Sequence, residues 1–493
     1  MPLHAELRAI PLEKHARERN VRQLAHDLYP RVTLRVTTQS GKDCETPRRN
    51  GESMKHTHCL SPSRVGVRSS ASVDPSSYGR MFPDLPTFSA EESFLYALGR
   101  AGGLCDCGSD VDDDRSLGTG AAGWPFFGQF VAHDVTADRS TLQSHIDPSS
   151  LRNARSPQLN LEGLYGDGPV GHPFLYQRGD PAKLLIGSDG YDLLRNAEGT
   201  AIIGDPRNDS HLIVSQMHLA FMHAHNTCVD RARAARIPED GVFEHAAREL
   251  RWTYQHAVVS EFLPTLVGSD MVDSIRRQGR RFYRPGPNAF IPLEFADAAF
   301  RYGHSQIRQR YMVNREVQPV PMLPDLIGFR SVPRHCHVDW TLFFDVEGHP
   351  PAERAKRIDG RLVSALIALP VAMTGESTIQ EFHSLAVRDL ERGQGAGLPS
   401  GEAIAKAMGE QPLTVDEVGA SRVGWAGETP LWFYILREAA VRCDGNQLGP
   451  VGGRIVGEVI IGLLEMDPSS VLRAAPKDWE PIASLANLLT GLE

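Results

Sequence analysis

The sequence predicts a mainly α protein, with one large helical domain and few short strands. Apolar residues recur at helical spacing, most clearly from Ile213 to Arg233, where Met217 and Phe221 fall near one face. Strand-like stretches are few and short, and no Gly/Ser linker or internal repeat divides the chain. Further helices are predicted in four segments: Leu362 to Met373, Ser400 to Met408, Pro430 to Val441 and Arg454 to Leu464.

The first 75 residues differ in composition from the rest of the chain. Lys and Arg outnumber Asp and Glu there, and Ser, Thr, Arg and Gly dominate from Thr37 to Ser77. We expect residues 1–75 to form a basic, mobile N-terminal extension with a short helix near Glu13 to Leu28. An unstructured tail is the simpler interpretation of this extension, and a docking arm is the alternative. Residues 76–493 would form the helical domain.

Composition excludes several classes of function. Hydrophobic residues make up 41% of the chain and charged residues 23%, which is ordinary for a soluble globular protein. The formal net charge of -9 argues against a nucleic-acid partner, because phosphate binding needs clustered Lys and Arg. No run of about 18 apolar residues occurs, so no transmembrane segment is expected. The start of the chain lacks the apolar stretch of a secretory signal, which predicts a cytoplasmic protein or one exported without a classical signal peptide.

Two histidine-containing segments could carry chemistry. In GWPFFGQFVAHDVT (Gly123 to Thr136), Gln129 and His133 are four residues apart and would share one helical face. A His and an amide aimed into one cavity suit acid–base work on a small ligand, although a buried structural His is the alternative. In AFRYGHSQIRQRY (Ala299 to Tyr311), Arg301 and His304 are three apart, and Gly303 leaves open space beside the His.

A third segment, GDPRNDSHLIVSQMHLAFMHAHN, runs from Gly204 to Asn226. Asp205 as the cap and Pro206 at the first helical position would start a long helix there. Arg207 would then be free to project into a cavity. The three histidines that follow do not share one helical face, which argues against a zinc site.

Taken in order, FFGQFVAHD, GDPRNDS…MHLAFMHAHN and AFRYGHSQI resemble the animal-type haem peroxidases, the peroxidase–cyclooxygenase superfamily. LAVRDLERGQGAGLPSG (Leu385 to Gly401) and TPLWFYILREA (Thr429 to Ala439) agree, and GRMFPDLP (Gly79 to Pro86) favours bacterial members. The resemblance covers about residues 79–480. It implies a mainly helical domain around a central haem and a haem peroxidase that uses hydrogen peroxide to oxidise small organic donors or halides.

The resemblance also implies roles for single residues. His133 falls on the distal histidine that moves the peroxide proton, and Arg207 falls on the distal arginine that stabilises developing negative charge. His304 falls on the proximal ligand of the haem iron. Three further positions match residues that orient a small ligand or pair with the haem propionates: Gln129, Arg301 and Arg392.

Three positions depart from the family pattern. Asp389 stands where Asn is common beside the proximal His, and a carboxylate there would give the imidazole more anionic character and lower the ferric/ferrous potential. The alternative is that Asp389 pairs with a neighbouring Arg at the surface. Ala132 and Ser210 stand where mammalian members esterify the haem, which implies non-covalent haem b.

A calcium site is implied as well. Asp134 falls on the aspartate beside the distal His, and RSPQLNLEGLYG (Arg155 to Gly166) resembles the calcium loop. Oxygen donors at alternate positions are typical of such a loop. The expected ligands beside Asp134 are Ser156, Gln158 through its carbonyl, Asn160 and Glu162. The alternative is a solvated turn.

Two other functions stay open at this point. Fatty-acid dioxygenases of the same superfamily place a radical-forming Tyr three residues before the proximal His, where this chain has Arg301, while Tyr302 is two before. A non-catalytic haem-binding module would be expected to lack His133 or Arg207, and this chain has both. The sequence does not name the electron donor, halide use, protein partners, oligomeric state or the role of residues 1–75.

Overall fold

Helices are the main regular element of the structure, a computed structural model that describes residues 78–108, 114–137, 153–377, 379–477 and 479–491. The described residues all fall within one unit, Arg68–Glu493. The predicted extension at residues 1–75, with its short helix, lies outside the described residues and stays a prediction. The mainly α fold class predicted from the apolar periodicity is confirmed.

The α-helices range from single turns to more than six turns. In chain order they are α1 (Glu92–Gly99), α2 (Trp124–Val135), α3 (Glu162–Tyr165), α4 (Gly168–Gly171), α5 (Leu212–Ala234), α6 (Val242–Ala257), α7 (Leu263–Val267), α8 (Ser269–Gln278), α9 (Leu293–Ala296), α10 (Ser364–Ile367), α11 (Val371–Thr374), α12 (Leu385–Gly395), α13 (Gly401–Met408), α14 (Val415–Val418), α15 (Leu431–Cys443), α16 (Pro450–Met466), α17 (Val471–Ala474) and α18 (Leu485–Thr490). A π-helical turn, Val258–Phe262, joins α6 to α7.

Tighter 3₁₀ turns connect many of these helices. They are Asp114–Ser116, Pro173–Leu175, Pro206–Asp209, Glu239–Gly241, Ala299–Gln306, Arg334–Cys336, Trp340–Leu342, Gln380–His383 and Ala420–Val423. The segment Ala299–Gln306 is long for this geometry, which usually lasts three or four residues. With three residues per turn, side chains three apart eclipse one another, so Arg301 and His304 lie on one face.

The strands are short and form two-stranded pairs among the described residues. They are β1 (Tyr78–Gly79), β2 (Leu117–Ala121), β3 (Tyr176–Gln177), β4 (Asp180–Leu184), β5 (Ile291–Pro292), β6 (Arg310–Tyr311), β7 (Val320–Pro321) and β8 (Arg354–Lys356). β1 pairs in parallel with β5, while β2–β8, β3–β4 and β6–β7 are antiparallel. The prediction of few short strands is confirmed.

Two of the predicted helices are wrong in extent. The helix expected to start at Pro206 is instead a 3₁₀ turn that ends at Asp209, and α5 starts separately at Leu212 after a His211 cap. Asp205 does cap this turn, because its side chain accepts from the Arg207 N–H. The helix expected over Leu362 to Met373 is split into α10 and α11, because Pro370 between them cannot continue a helix.

The other predicted helices are confirmed with small shifts at their ends. They correspond to α5, α13, α15 and α16. Helices α5 and α6 pack against each other over much of their lengths, and α2 packs against α5 and against the segment Ala299–Gln306. At that second contact Gly128 is required, since an added Cβ would lie 2.8 Å from the Tyr302 hydroxyl. No helix among the described residues is both long and apolar enough to span a membrane.

Candidate active site

Helix α2 presents Gln129 and His133 from an otherwise buried surface. Phe127 and Val131 have no solvent exposure, while Gln129 and His133 are half-buried. Four residues separate the two polar side chains, so they lie one above the other on the same face, as predicted. The helix therefore buries an apolar face and leaves one polar pair accessible.

The Asn208 side chain fixes the protonation pattern of His133. His133 Nδ1 lies 2.8 Å from Asn208 Oδ1, which can only accept, so Nδ1 carries the ring proton of the neutral imidazole. Nε2 is then left with its lone pair. Burial, followed by the positive charge of Arg207, lowers the pKa of His133 to about 4. The ring is therefore a neutral base with Nε2 available at pH 7.

A second histidine orients Asn208 from behind. Asn208 lies on the turn Pro206–Asp209 and is buried, and its Nδ2 donates to His218 Nδ1 at 3.0 Å. Burial lowers the pKa of His218 to about 4, so this ring is also neutral and can accept. Because the amide nitrogen is held by His218, the amide oxygen faces His133.

Gln129 is held by a third histidine, His211. Val214 N–H donates to His211 Nδ1, so the ring proton is on Nε2, which donates to Gln129 Oε1 at 2.6 Å. Burial and the neighbouring His133 lower the pKa of His211 to about 3. With its oxygen occupied, Gln129 keeps its amide N–H groups for another acceptor.

Arg207 is anchored more firmly than the sequence predicted. Its Nε and Nη2 donate to the two oxygens of Asp205 at 3.0 and 2.7 Å, and Nη2 also donates to the His133 carbonyl at 2.8 Å. The prediction of a freely projecting arginine is therefore wrong, because its neighbour Asp205 binds it in a fork. Among the described residues Nη1 has no acceptor, and 34% of the side chain stays exposed.

Arg155 binds the same carboxylate as Arg207. Its Nε and Nη2 donate to Asp205 Oδ2 at 3.1 and 2.6 Å. Burial would raise the pKa of Asp205, but Arg207 and then Arg155 outweigh burial and hold that pKa well below its usual range. Asp205 is therefore ionised and keeps the position of Arg207 fixed.

The second histidine of the site, His304, is bound by a carboxylate. His304 Nδ1 donates to Asp389 Oδ2 at 2.5 Å, and Arg301 Nη1 lies 3.4 Å from Asp389 Oδ1. Asp389 is buried on α12, so it is not the surface partner of a neighbouring Arg. Burial opposes its ionisation, but His304 and then Arg301 hold the pKa of Asp389 below its ordinary value.

Arg301 and Arg392 converge on a further buried carboxylate, Asp297. The Nη2 of Arg301 and the Nη1 of Arg392 each lie 3.6 Å from Asp297 Oδ1. About a quarter of each arginine side chain remains exposed, 27% and 23%. Both guanidinium groups are thus positioned and still accessible to an outside anion.

The accessible side chains leave room for a flat ligand beside His304. An added Cβ at Gly303 would meet only the Pro125 carbonyl oxygen, at 3.9 Å. Phe300 and Tyr302 are buried, while Arg301 and His304 keep 27% and 29% of their side chains exposed. His304 uses Nδ1 for Asp389, which leaves Nε2 free to bind a metal. These features fit a haem ligated by His304.

The loop predicted to bind calcium is closed by its own hydrogen bonds. Glu162 Oε2 accepts from Ser156 Oγ at 2.9 Å, and Asn160 Nδ2 donates to the same Ser156 oxygen at 2.9 Å. Asp134 accepts the backbone N–H groups of Leu161 and Glu162 at 3.1 and 2.9 Å.

Burial raises the pKa of Asp134 to about 7, although the two N–H donors oppose this shift. Four of the five predicted ligands therefore lie in one hydrogen-bonded cluster. Gln158 follows Ser156 in a turn closed from its N–H to the Ser156 carbonyl oxygen. The described residues contain no group of three or more His, Cys, Asp or Glu that could hold a metal ion.

Sequence reasoning missed the residues that hold the predicted ones. Asn208, His211 and His218 lie within the quoted motif, but Asn208 and His211 have partners on α2 that are 75 and 82 residues away. Asp297 precedes Arg301 by one helical turn, a spacing typical of an ion pair, and could have been singled out. No local pattern in the sequence indicates a role for Arg155, because its partner Asp205 lies 50 residues away.

The helical scaffold thus carries one cluster of His133, Gln129 and Arg207 and a second, His304 paired with Asp389, and this set of side chains suits a histidine-ligated haem. Residues 143–327 match the family model described as animal haem peroxidase. This part of the chain therefore resembles the animal haem peroxidases.

Curated relatives match parts of the chain as well. Peroxidasin of Drosophila melanogaster is 26% identical over 274 residues, 52% of this chain and 17% of that protein. The probable oxidoreductase PXDNL of Homo sapiens is 33% identical over 168 residues, 33% of this chain and 11% of that protein. The chain thus spans under a fifth of the length of these relatives. None of these matches tests the expected likeness to bacterial members.

Two solved structures share the fold. Peroxidase A from Dictyostelium discoideum superposes with a TM-score of 0.59 at 15% identity, over 85% of this chain and 89% of that one. The fatty acid alpha-dioxygenase of Oryza sativa superposes with a TM-score of 0.56 at 13% identity, over 82% and 76%. At these identities the likeness concerns the fold alone.

Proposed function

We propose that this chain is a haem-dependent peroxidase that uses hydrogen peroxide to oxidise a small organic donor or a halide. The observation that carries the proposal is His133, a neutral base whose Nε2 is left free by Asn208 and which lies beside Gln129 and Arg207. The family match over residues 143–327 supports haem as the cofactor. When bound, the haem supplies an iron that binds the peroxide and holds oxidising equivalents for the donor.

His133 would move the proton of the peroxide. Its Nε2 would accept the proton of one peroxide oxygen and return it to the other oxygen as the O–O bond breaks. During this transfer Nδ1–H stays on Asn208 Oδ1, so the ring keeps its orientation in both protonation states. The pKa of about 4 keeps the base form present through the neutral range.

Arg207 and Gln129 would stabilise and orient the peroxide. The accessible Nη1 of Arg207 is a fixed positive charge, which favours negative charge that develops as the O–O bond breaks. Asp205 holds the guanidinium in place, so little reorganisation is needed during the reaction. The free amide N–H groups of Gln129 can donate to the peroxide, to water or to a halide.

His304 would hold the haem through Nε2, with Asp389 on the other ring nitrogen and Arg301 and Arg392 near the propionates. Ala132 and Ser210 carry no carboxylate for an ester bond, so we infer non-covalent haem b. Acid–butanone treatment should extract all of the haem from the protein. Haem that stays with the denatured chain would contradict this inference.

The test of the proposed function is a stopped-flow absorption record of the haem-loaded full chain. Mixing with hydrogen peroxide should change the haem spectrum at a rate proportional to peroxide concentration. Adding a phenolic donor or a halide should restore the starting spectrum and identify the donor class. Haem that binds but does not respond to peroxide would instead indicate a non-catalytic haem module.

A fatty-acid dioxygenase is the second candidate, because a fatty acid alpha-dioxygenase shares the fold. Arg301 at the position of the radical-forming Tyr argues against it. Tyr302 does not replace that Tyr readily, since it is buried against Gly128 and burial raises its pKa. Oxygen uptake with linoleate in the absence of peroxide would favour the dioxygenase.

Calcium is the part of the cofactor prediction that fits this chain least well. Asp134 and Glu162 supply two carboxylates, but the guanidinium of Arg155 already lies 3.1 Å from Glu162 Oε1. Asn160 turns its amide N–H, which cannot bind a cation, toward Ser156 Oγ. No step of the proposed reaction uses a calcium ion.

A further inference from the structure

Arg155 begins the loop in which the family resemblance implies a calcium ion. Each of its three guanidinium nitrogens donates to an acceptor. Nε and Nη2 donate to Asp205 Oδ2, Nη1 donates to Glu162 Oε1 at 3.1 Å, and Nη2 also donates to the Gly204 carbonyl at 3.0 Å. Only 12% of the side chain is exposed. Arg155 is therefore a largely buried cation whose three guanidinium nitrogens all have acceptors.

The carboxylates around Arg155 already have cationic partners and hydrogen-bond donors. Glu162 and Asp205 supply two negative charges, and Arg155 and Arg207 supply two positive charges. The second oxygen of Glu162 accepts from the backbone N–H and the hydroxyl of Ser156. A divalent cation bound to Glu162 would lie beside the guanidinium, and like charges repel strongly where water is excluded.

We propose that Arg155 is the resident cation of this loop, so that the loop folds without calcium, and that Arg155 positions Arg207 through Asp205. The guanidinium links the loop carboxylate Glu162 to the carboxylate that holds Arg207. A planar fork with several donors suits this bridge between two carboxylates. Arg155 is a positioning residue, since its contacts are to Glu162, Asp205 and a backbone carbonyl.

Metal content and melting temperature of the haem-loaded full chain test the first half of the proposal. After equilibration with millimolar calcium chloride and removal of free metal, the wild type should hold far less than one calcium ion per chain by plasma mass spectrometry. Its melting temperature should change by no more than about 1 °C on adding calcium or EDTA, because a ligand that does not bind cannot stabilise the fold.

Two variants sharpen the test. Arg155→Met removes the charge but keeps much of the apolar volume, so Glu162 loses its cationic partner and Asp205 keeps Arg207 alone. We expect its melting temperature to fall by several degrees and to recover partly when calcium is added. Arg251→Met is the matched control, because Arg251 donates to the Asn160 carbonyl of the same loop and touches no carboxylate there. It should melt nearer to the wild type and show no response to calcium.

The second half of the proposal rests on the proposed function, and its readout is the peroxide rate. Arg155→Met should lower the rate of the peroxide-dependent spectral change about tenfold at unchanged haem content, since misplaced groups cost rate without loss of binding. Arg155→Lys keeps a charge but not the fork, and should recover part of the rate.

Two results would overturn the proposal. One is a wild-type chain that holds one calcium ion and loses several degrees of melting temperature in EDTA. The other is an Arg155→Met variant with the wild-type rate and melting temperature. The metal readout does not depend on peroxidase activity, so the first half of this inference can stand when the proposed function fails, and the proposed function can stand when the inference fails.

Discussion

The two key histidines are held by different partners, His133 by the amide of Asn208 and His304 by the carboxylate of Asp389. Each partner binds Nδ1 and leaves Nε2 free, at 2.8 Å for the amide and 2.5 Å for the carboxylate. A neutral amide orients the ring without increasing its charge, which suits a base that must gain and lose a proton. A carboxylate pulls on the ring proton and makes the imidazole a stronger electron donor, which suits a permanent metal ligand. The two partners thus suit one type of side chain to two different tasks.

Removing the base itself has the largest expected effect. His133→Ala should lower the rate of the peroxide-dependent spectral change by about 10²- to 10⁴-fold, the usual contribution of a positioned general base. His223→Ala is the control, because this histidine is exposed and its ring bonds the Gly190 carbonyl on the surface, away from His133 and Arg207. Stopped-flow absorption measures both variants, and a rate near that of the wild type in His133→Ala would show that another group moves the proton.

Giving His133 a carboxylate partner tests the comparison directly. A negative charge in Asn208→Asp favours the imidazolium and raises the pKa of His133 from about 4. The base form is the deprotonated ring, so the rate is full above this pKa and falls about tenfold per pH unit below it. The wild type should therefore lose rate only near pH 4 and below, and the variant should begin to lose rate at a higher pH. If the pH at which the rate falls is the same in Asn208→Asp and the wild type, Asn208 does not set the protonation of His133.

The reverse exchange replaces the carboxylate of His304 by an amide. Asp389→Asn should raise the ferric/ferrous potential by roughly 60 mV or more, which corresponds to about a tenfold change for a one-electron couple. The reason is that a neutral partner no longer stabilises the higher oxidation state of the metal. Spectroelectrochemistry of the haem-loaded variant measures the shift, and an unchanged or lower potential would contradict it.

The smallest expected effect comes from His211, which orients Gln129. His211→Asn keeps a side-chain oxygen for the cap of α5 but does not reach Gln129. Loss of one hydrogen bond of about 1 kcal/mol should slow the peroxide reaction by roughly three- to tenfold. Gln129→Leu should slow the reaction by a similar factor. If the double variant is no slower than either single variant, His211 and Gln129 act as a unit.

The sequence predicts the long helices and the residues that project into the site, because periodicity and local spacing determine both. Ile213 to Arg233 and the pair Gln129–His133 are examples, since α2 and α5 lie where their patterns place them. The sequence does not predict what holds those residues. Arg207 is anchored by Asp205 only because the helix expected at Pro206 is a short turn, and His218 meets Asn208 because α5 starts again at Leu212.

Neighbouring positions on α2 face different parts of the molecule, since His133 faces the site while Asp134 binds the backbone of the loop at Leu161 and Glu162. One residue turns an α-helix by about 100°, so an insertion or deletion within α2 would rotate both side chains away from their partners together. The two contacts therefore fix the rotation of α2 about its own axis as well as its position. Substitutions along this stretch of chain can be absorbed one at a time, whereas a change in its length cannot.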